Sequence, residues 1–274
     1  MSRPTVVVDK CFLQGSKADR IRDLCRTHDV LMTDVLFYEL ISSSEPQRSR
    51  CFAKFPSTEN PVTWVKNSLA LRRKEIEHRT PSGKPSENPA VSGYRFHPDL
   101  STGNYVPPDG TARALDEENR RVRADVASFI QSAQVMATVF PDLLSDINSP
   151  KENAIEEAAH SIATEPSSVI TFYAELNSEP GERPFPPADL VTPSWALFRY
   201  LQVQLLMALD IYSRYRGKIP NVADLTPAWY EKIEHDLHDA EYLVLGVLEG
   251  SFATNELKLQ RYWKMLRPDG VLLS

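Results

Sequence analysis

Asp9 stands directly after the run Val6-Val7-Val8. A carboxylate at the carboxyl end of a buried strand faces the crevice where open α/β sheets place their ligands. Glu39 lies about a turn into the helix expected after a second strand. Asp236 and Asp239, in His235-Asp236-Leu237-His238-Asp239, are three apart and share a helix face. Glu256 follows Ser251-Phe252-Ala253-Thr254-Asn255, just past another short strand signal. Carboxylates that converge from strand ends and helix starts repel one another unless a cation sits among them. Their hard oxygen donors select Mg²⁺ or Mn²⁺. Such a cluster can polarise a phosphoryl oxygen, lower the pKa of a bound water and steady the leaving oxygen of an in-line displacement. Taken singly, each acid has an ordinary reading: Asp9 as a turn residue, Glu39 as a solvated helix residue, Asp236 and Glu256 as partners of a helix dipole.

Cations follow the last of these acids. Lys258, Arg261, Lys264 and Arg267 recur every third residue beside Tyr262 and Trp263. Cations hold phosphates and aromatic faces stack bases, so this segment is a candidate nucleic-acid surface, with a solvated helix face as the plain alternative. Arg72 and Arg73, followed by Lys74, form a second candidate with the same alternative. His235 and His238 invite a zinc reading, but no Cys or third spaced His accompanies them, and they read as helix-surface residues. Glu241, two residues past Asp239, reads as a solvated outer-face acid. The three cysteines (Cys11, Cys25, Cys51) form no CxxC pair. They read as small core hydrophobes in a reducing, cytoplasmic setting. Trp195, Phe198 and Tyr200 read as core.

The elements that must position the acids appear at both ends of the chain. Thr5 to Val8 is β-branched throughout, as in a buried strand. Asp19 to His28 has helical spacing, Val30 to Met32 forms a second strand, and Thr33 or Asp34 can cap a following helix. A β-α-β-α opening favours parallel strands. Near the other end, Tyr230 to Gly250 reads as helix, Ser251 to Thr254 as strand, Asn255 to Leu266 as helix and Gly270 to Ser274 as strand. Between them, helices are expected over Trp64–His78, Leu115–Val139, Asn153–Ala163 and Ser194–Tyr215. Residues 80–110 and the proline-rich stretch from Pro166 to Pro193 are expected to be loops or insertion boundaries.

The order of these elements resembles the PIN domain nucleases. Strand-then-Asp9 is similar to that family's first acid, and Thr33-Asp34-Val35-Leu36-Phe37-Tyr38-Glu39-Leu40 to its second. Asp236 to Leu243 resembles the segment bearing the third, with Asp239 the better match and Asp236 the alternative. Phe252 to Leu259 resembles the family's strand followed by Thr-x-Asp, with Thr254 as the orienting hydroxyl and Glu256 in place of the usual Asp. The resemblance covers about the first 50 and last 50 residues.

It implies an α/β fold, a PIN-like open parallel sheet flanked by helices with a large mostly helical insertion. The core would be residues 1–50 and 190–274, and the insertion 51–189. It also implies a Mg²⁺- or Mn²⁺-dependent endoribonuclease acting through Asp9, Glu39, Asp236, Asp239 and Glu256, serving as a toxin or defence effector or in housekeeping processing. The expected partners are an RNA substrate and either a second copy in a homodimer or a regulatory protein. The alternative is a catalytically silent PIN-like domain that binds protein or nucleic acid.

Composition narrows the remaining classes. The chain has 274 residues, 42% of them hydrophobic and 25% charged, enough for a substantial core. Its net charge of −6, with the acidic surplus after residue 150, argues against a passive basic nucleic-acid coat. Twenty-one prolines against 10 glycines imply irregular loops rather than flexible linkers. No stretch approaches the ~18 apolar residues of a membrane span, and the start is too short for a signal peptide. Position 11 is Cys11, where a haloacid-dehalogenase-type phosphotransferase needs a second Asp, and no GxxxxGK[ST] exists, which excludes a P-loop.

Overall fold

The computed structural model describes residues 3–144, 152–176 and 185–274. In chain order the first elements are β1 (Thr5–Val8), α1 (Lys10–Gly15), α2 (Ala18–Thr27), β2 (Asp29–Met32), α3 (Asp34–Ser42) and α4 (Glu45–Phe52). Next come β3 (Thr63–Val65), α5 (Ser68–His78), β4 (Pro89–Val91), α6 (Asp109–Gln134), α7 (Met136–Val139) and α8 (Pro141–Leu144). The rest are α9 (Glu152–Thr164), α10 (Pro166–Leu176), α11 (Ala196–Arg214), α12 (Pro227–Glu249), β5 (Ser251–Ala253), α13 (Leu257–Leu266) and β6 (Val271–Leu273). The chain divides into two compact units. A sheet unit comprises Met1–Leu71, Gly83–Asn119 and Glu241–Ser274; a helical unit comprises Arg72–Ser82 and Arg120–Ala240. No helix among the described residues is long and apolar enough to cross a membrane.

The sheet unit is α/β, with strand order β4-β3-β2-β1-β5-β6. Every pairing is parallel except β3 with β4. Parallel strands covered by helices are buried on both faces and so need continuous apolar runs. Val6, Val7 and Val8 of β1 and Val30, Leu31 and Met32 of β2 meet that need, each nearly or fully buried. Strands from the two ends of the chain lie side by side, Val7 opposite Phe252 and Val8 opposite Ala253. Gly246 lets α12 approach β5, because a Cβ there would meet the Phe252 ring at 3.0 Å.

Three expectations from sequence are corrected in this unit. Trp64 and Val65 belong to β3, not to a helix running from 64. The helix starts at Ser68 because Glu241 accepts from both the Ser68 amide (2.7 Å) and its hydroxyl. Glu241 is therefore a cap on α5 rather than a solvated acid. Residues 80–110 hold the edge strand β4 as well as loop, and Pro89 is tolerated there because an edge strand has one unpaired side.

The helical unit packs around α11, whose buried residues include Leu205, Leu206, Ala208 and Tyr212, with α7, α9 and α10 as neighbours. Trp195 and Phe198 are core as expected, and Tyr200 lies under the Arg72 guanidinium, 3.5 Å from its ring centre. Pro166 opens α10 instead of lying in a loop, since proline fits the first helical turn. The part of that proline-rich stretch at 177–184 lies outside the described residues. Glu75 fixes the start of α11. Its carboxylate is 0% exposed and accepts from the amides of Ala196 (2.7 Å) and Leu197 (2.8 Å) and from the amide and hydroxyl of Ser82 (3.0 and 2.9 Å). A negative charge on the first amides of a helix is also favoured by its dipole.

Candidate functional site

β1 ends at Val8, and the next residue turns the chain into α1. Asp9 is the N-cap of that helix, and its Oδ1 accepts from the Phe12 amide at 2.6 Å. The Asp9 amide donates to the Ala253 carbonyl (3.2 Å), which locks the residue against the end of β5. Asp9 is 1% exposed, and its second oxygen, Oδ2, is buried with no hydrogen-bond partner among the described residues.

The turn after β5 lies beside it. Thr254 is fully buried, and its hydroxyl accepts from the Glu256 amide at 3.0 Å. The same hydroxyl favours the charged form of Asp9 without reaching Oδ2 at bonding geometry. Glu256 is the N-cap residue of α13 but makes no side-chain capping bond. Its carboxylate is half-exposed and lies 3.7 Å from Lys258 Nζ.

α3 supplies Glu39. Thr33, not Asp34, caps this helix, accepting from Leu36 N at 3.3 Å. That sets the register in which Glu39 faces inward, 7% exposed. The Tyr242 hydroxyl donates to Glu39 Oε2, and Lys10 Nζ lies 3.5 Å from Oε1. Burial pushes the Asp9 carboxyl up to about 6; Thr254 and the Phe12 amide pull the other way, while Glu256 and then Glu39 add like charge and push it further.

The structure thus brings Asp9, Glu39, Thr254 and Glu256 together within the sheet unit. Asp236 and Asp239 belong to the helical unit. There Asp236 is 5% exposed and bonded by Arg214, whose Nη1 donates to Oδ2 at 2.9 Å and whose Nη2 also holds Asp210 at 2.6 Å. Asp236 is part of an ion-pair network, whereas Asp239 is half-buried on α12. Of the two histidines, His235 is exposed as expected, but His238 is buried.

The cationic segment on α13 is divided. Arg261 and Lys264 are exposed, Lys258 pairs with Glu256, and Arg267 lies 3.6 Å from Asp269. Tyr262 and Trp263 are in the core and present no face for stacking. Arg73 is exposed on α5, while Arg72 is held over Tyr200. Among the cysteines only Cys51 is buried, and Cys11 is exposed.

Lys10 and Tyr242 escaped the sequence reading. Tyr242 falls in an apolar stripe and reads as core, which its ring is. Only the three-dimensional placement of its hydroxyl reveals the link to Glu39.

Hard oxygen donors around a buried, unsatisfied carboxylate oxygen fit a small divalent cation in kind. In number they fall short: among the described residues no group of three or more His, Cys, Asp or Glu side chains is arranged to hold a metal. An octahedral Mg²⁺ tolerates this because it usually keeps several waters. Compared with models of protein families, with curated proteins and with solved structures, the chain returns no match.

Proposed function

We propose that this chain is a Mg²⁺- or Mn²⁺-dependent nuclease of PIN-like type that hydrolyses RNA phosphodiester bonds. The observation that carries the reading is Asp9 Oδ2: a buried carboxylate oxygen without a donor, next to two further carboxylates that raise its pKa. Leaving a buried polar atom unsatisfied costs about 1–3 kcal/mol, which a fold retains where a ligand will use the atom. The choice of RNA over DNA comes from the family resemblance in the sequence.

Asp9 would hold the ion directly, and Glu39 and Glu256 would reach it themselves or through its waters. When bound, the ion supplies a polarised phosphoryl oxygen and a water of lowered pKa. Lys10 beside Glu39 offsets negative charge at the site. Tyr242 fixes the rotamer of Glu39, and Thr254 fixes the turn that carries Glu256. Asp236 and Asp239 are not needed for this reading.

Purified protein should cleave single-stranded RNA with Mg²⁺ or Mn²⁺ and lose at least a thousandfold in rate on Asp9→Asn, a size ordinary for a group that organises the reacting centre. The same ions should raise the melting temperature of the wild type and leave that of Asp9→Asn unchanged. Cleavage that survives Asp9→Asn, or that persists with excess chelator, rules the proposal out.

A second reading, a PIN-like domain that binds without cutting, is favoured by one observation: both Glu39 oxygens already have partners, Lys10 and Tyr242. It predicts RNA retention without cleavage under all metal conditions.

A further inference from the structure

A cavity of about 480 Å³ opens between α1, α2 and α4 of the sheet unit. Three of its lining residues are cations, Arg22, Arg50 and Lys54, and two are amides, Gln14 and Gln47; among the described residues no Asp or Glu lines it. Each of these cations is oriented by a backbone carbonyl, and Arg22 also pairs with an exposed acid. Lys54 Nζ donates to the carbonyls of Leu13 (2.5 Å) and Gln14 (3.0 Å) at the end of α1. Arg22 Nη2 donates to Ala53 O (3.3 Å), and Arg50 Nε to Pro46 O (2.7 Å). That acid is Asp19, almost fully exposed, 3.7 Å from Arg22 Nη1.

Two further observations point the same way. Ala18, the first residue of α2, lines the cavity, and no side chain caps that helix, so the N-terminus of α2 borders the space. The Cys51 thiol, also in the wall, is acted on by Lys54, Lys10 and Arg50 in the direction that favours a negative charge, though burial still pushes its pKa up.

We infer that this cavity is a binding site for a phosphate monoester. Three cations exceed the single charge of a backbone diester and suit the charge of about −1.5 to −2 that a monoester carries near neutral pH. Arginine forks match phosphate oxygens bidentately, and glutamine amides supply further donors. The monoester can come from the 5′ end of an RNA strand or from a free mononucleotide. The site goes beyond the nuclease reading and does not depend on it.

The test is fluorescence anisotropy, with chelator present to prevent cleavage, using a short 3′-labelled oligoribonucleotide with either a 5′-phosphate or a 5′-hydroxyl. AMP serves as competitor. The phosphorylated strand should bind about tenfold or more tightly than the hydroxyl form, the size of one charge-assisted contact set. Arg50→Gln and Arg22→Gln, both on exposed side chains and checked for folding by thermal melt, should abolish that preference. Arg113→Gln, an exposed cation outside the lining, should keep it. Binding of AMP without a 5′-phosphate preference, lost in the same two variants, assigns the site to a free nucleotide and supports it equally. Equal binding of both strands with no effect of AMP, or wild-type preference in both pocket variants, overturns the inference.

Discussion

The sheet unit and the helical unit each bury a carboxylate at a helix start, and the two are treated in opposite ways. Glu75 is surrounded by donors: two amides of α11 and both donors of Ser82. Asp9 receives the Phe12 amide on one oxygen and leaves the other bare, with two more acids close enough to resist its ionisation. A buried charge is expensive unless every lone pair is met. Glu75 comes close to that condition, with donors on both oxygens, and acts as a structural pin. Asp9 does not, and on the proposed reading a cation would complete it.

The contrast breaks most sharply through Glu75→Ala. Removing the carboxylate strands four donors in a closed space, and the expected cost is about 3–5 kcal/mol of stability, measured by denaturant unfolding. A cost under about 1 kcal/mol means that the helical unit relaxes and water reaches these donors, and the distinction between the two carboxylates fails.

Asp9→Asn should do the reverse. The folded carboxyl titrates at about 6, above its ordinary value of 3.8, so the native state binds the proton more tightly than the unfolded chain. The stability associated with that proton is present below pH ~4 and is lost as pH rises to ~6. In chelator at pH 7, Asp9→Asn should therefore be more stable than wild type by on the order of 2–3 kcal/mol, and the advantage should vanish near pH 4. Equal stability at both pH values means that Asp9 carries no strain for a cation to relieve.

How much of this was visible in the sequence follows from range. Val6 to Val8 before Asp9, and Ser251 to Ala253 before Thr254, are local patterns, and the α/β character with parallel strands could be read from them. Thr33 as a cap could be read as one of two options. Features set by distant partners could not. Glu241 looks solvated because its helix neighbours say nothing of Ser68, which is 173 positions away. The spacing that suggests Asp236 as a metal ligand says nothing of the Arg214 guanidinium bonded to it. Tyr262 and Trp263 alternate with cations and suggest a stacking face, yet the period that exposes Arg261 and Lys264 turns both rings inward. Arg22, Arg50 and Lys54 form no run, and only the packing of α1, α2 and α4 gathers them.

The smallest effect, and the one that resolves the comparison most finely, belongs to Thr254. Its hydroxyl serves the Glu256 amide directly and lowers the cost of charging Asp9. Thr254→Ser keeps the hydroxyl and should change stability by less than about 1 kcal/mol, the methyl loss alone. Thr254→Val keeps the shape but removes the acceptor, at a cost of about 1 kcal/mol or more above pH 6. It also removes one of the two groups that favour the Asp9 charge, so the loss of stability between pH ~4 and ~6 should become larger and extend to higher pH. In an Asp9→Asn background that added pH dependence should disappear while the Glu256 amide penalty stays. A double-mutant cycle across pH separates the two. A Val variant whose pH profile parallels wild type would show that the hydroxyl shapes the turn and leaves the carboxylate to burial and its acidic neighbours.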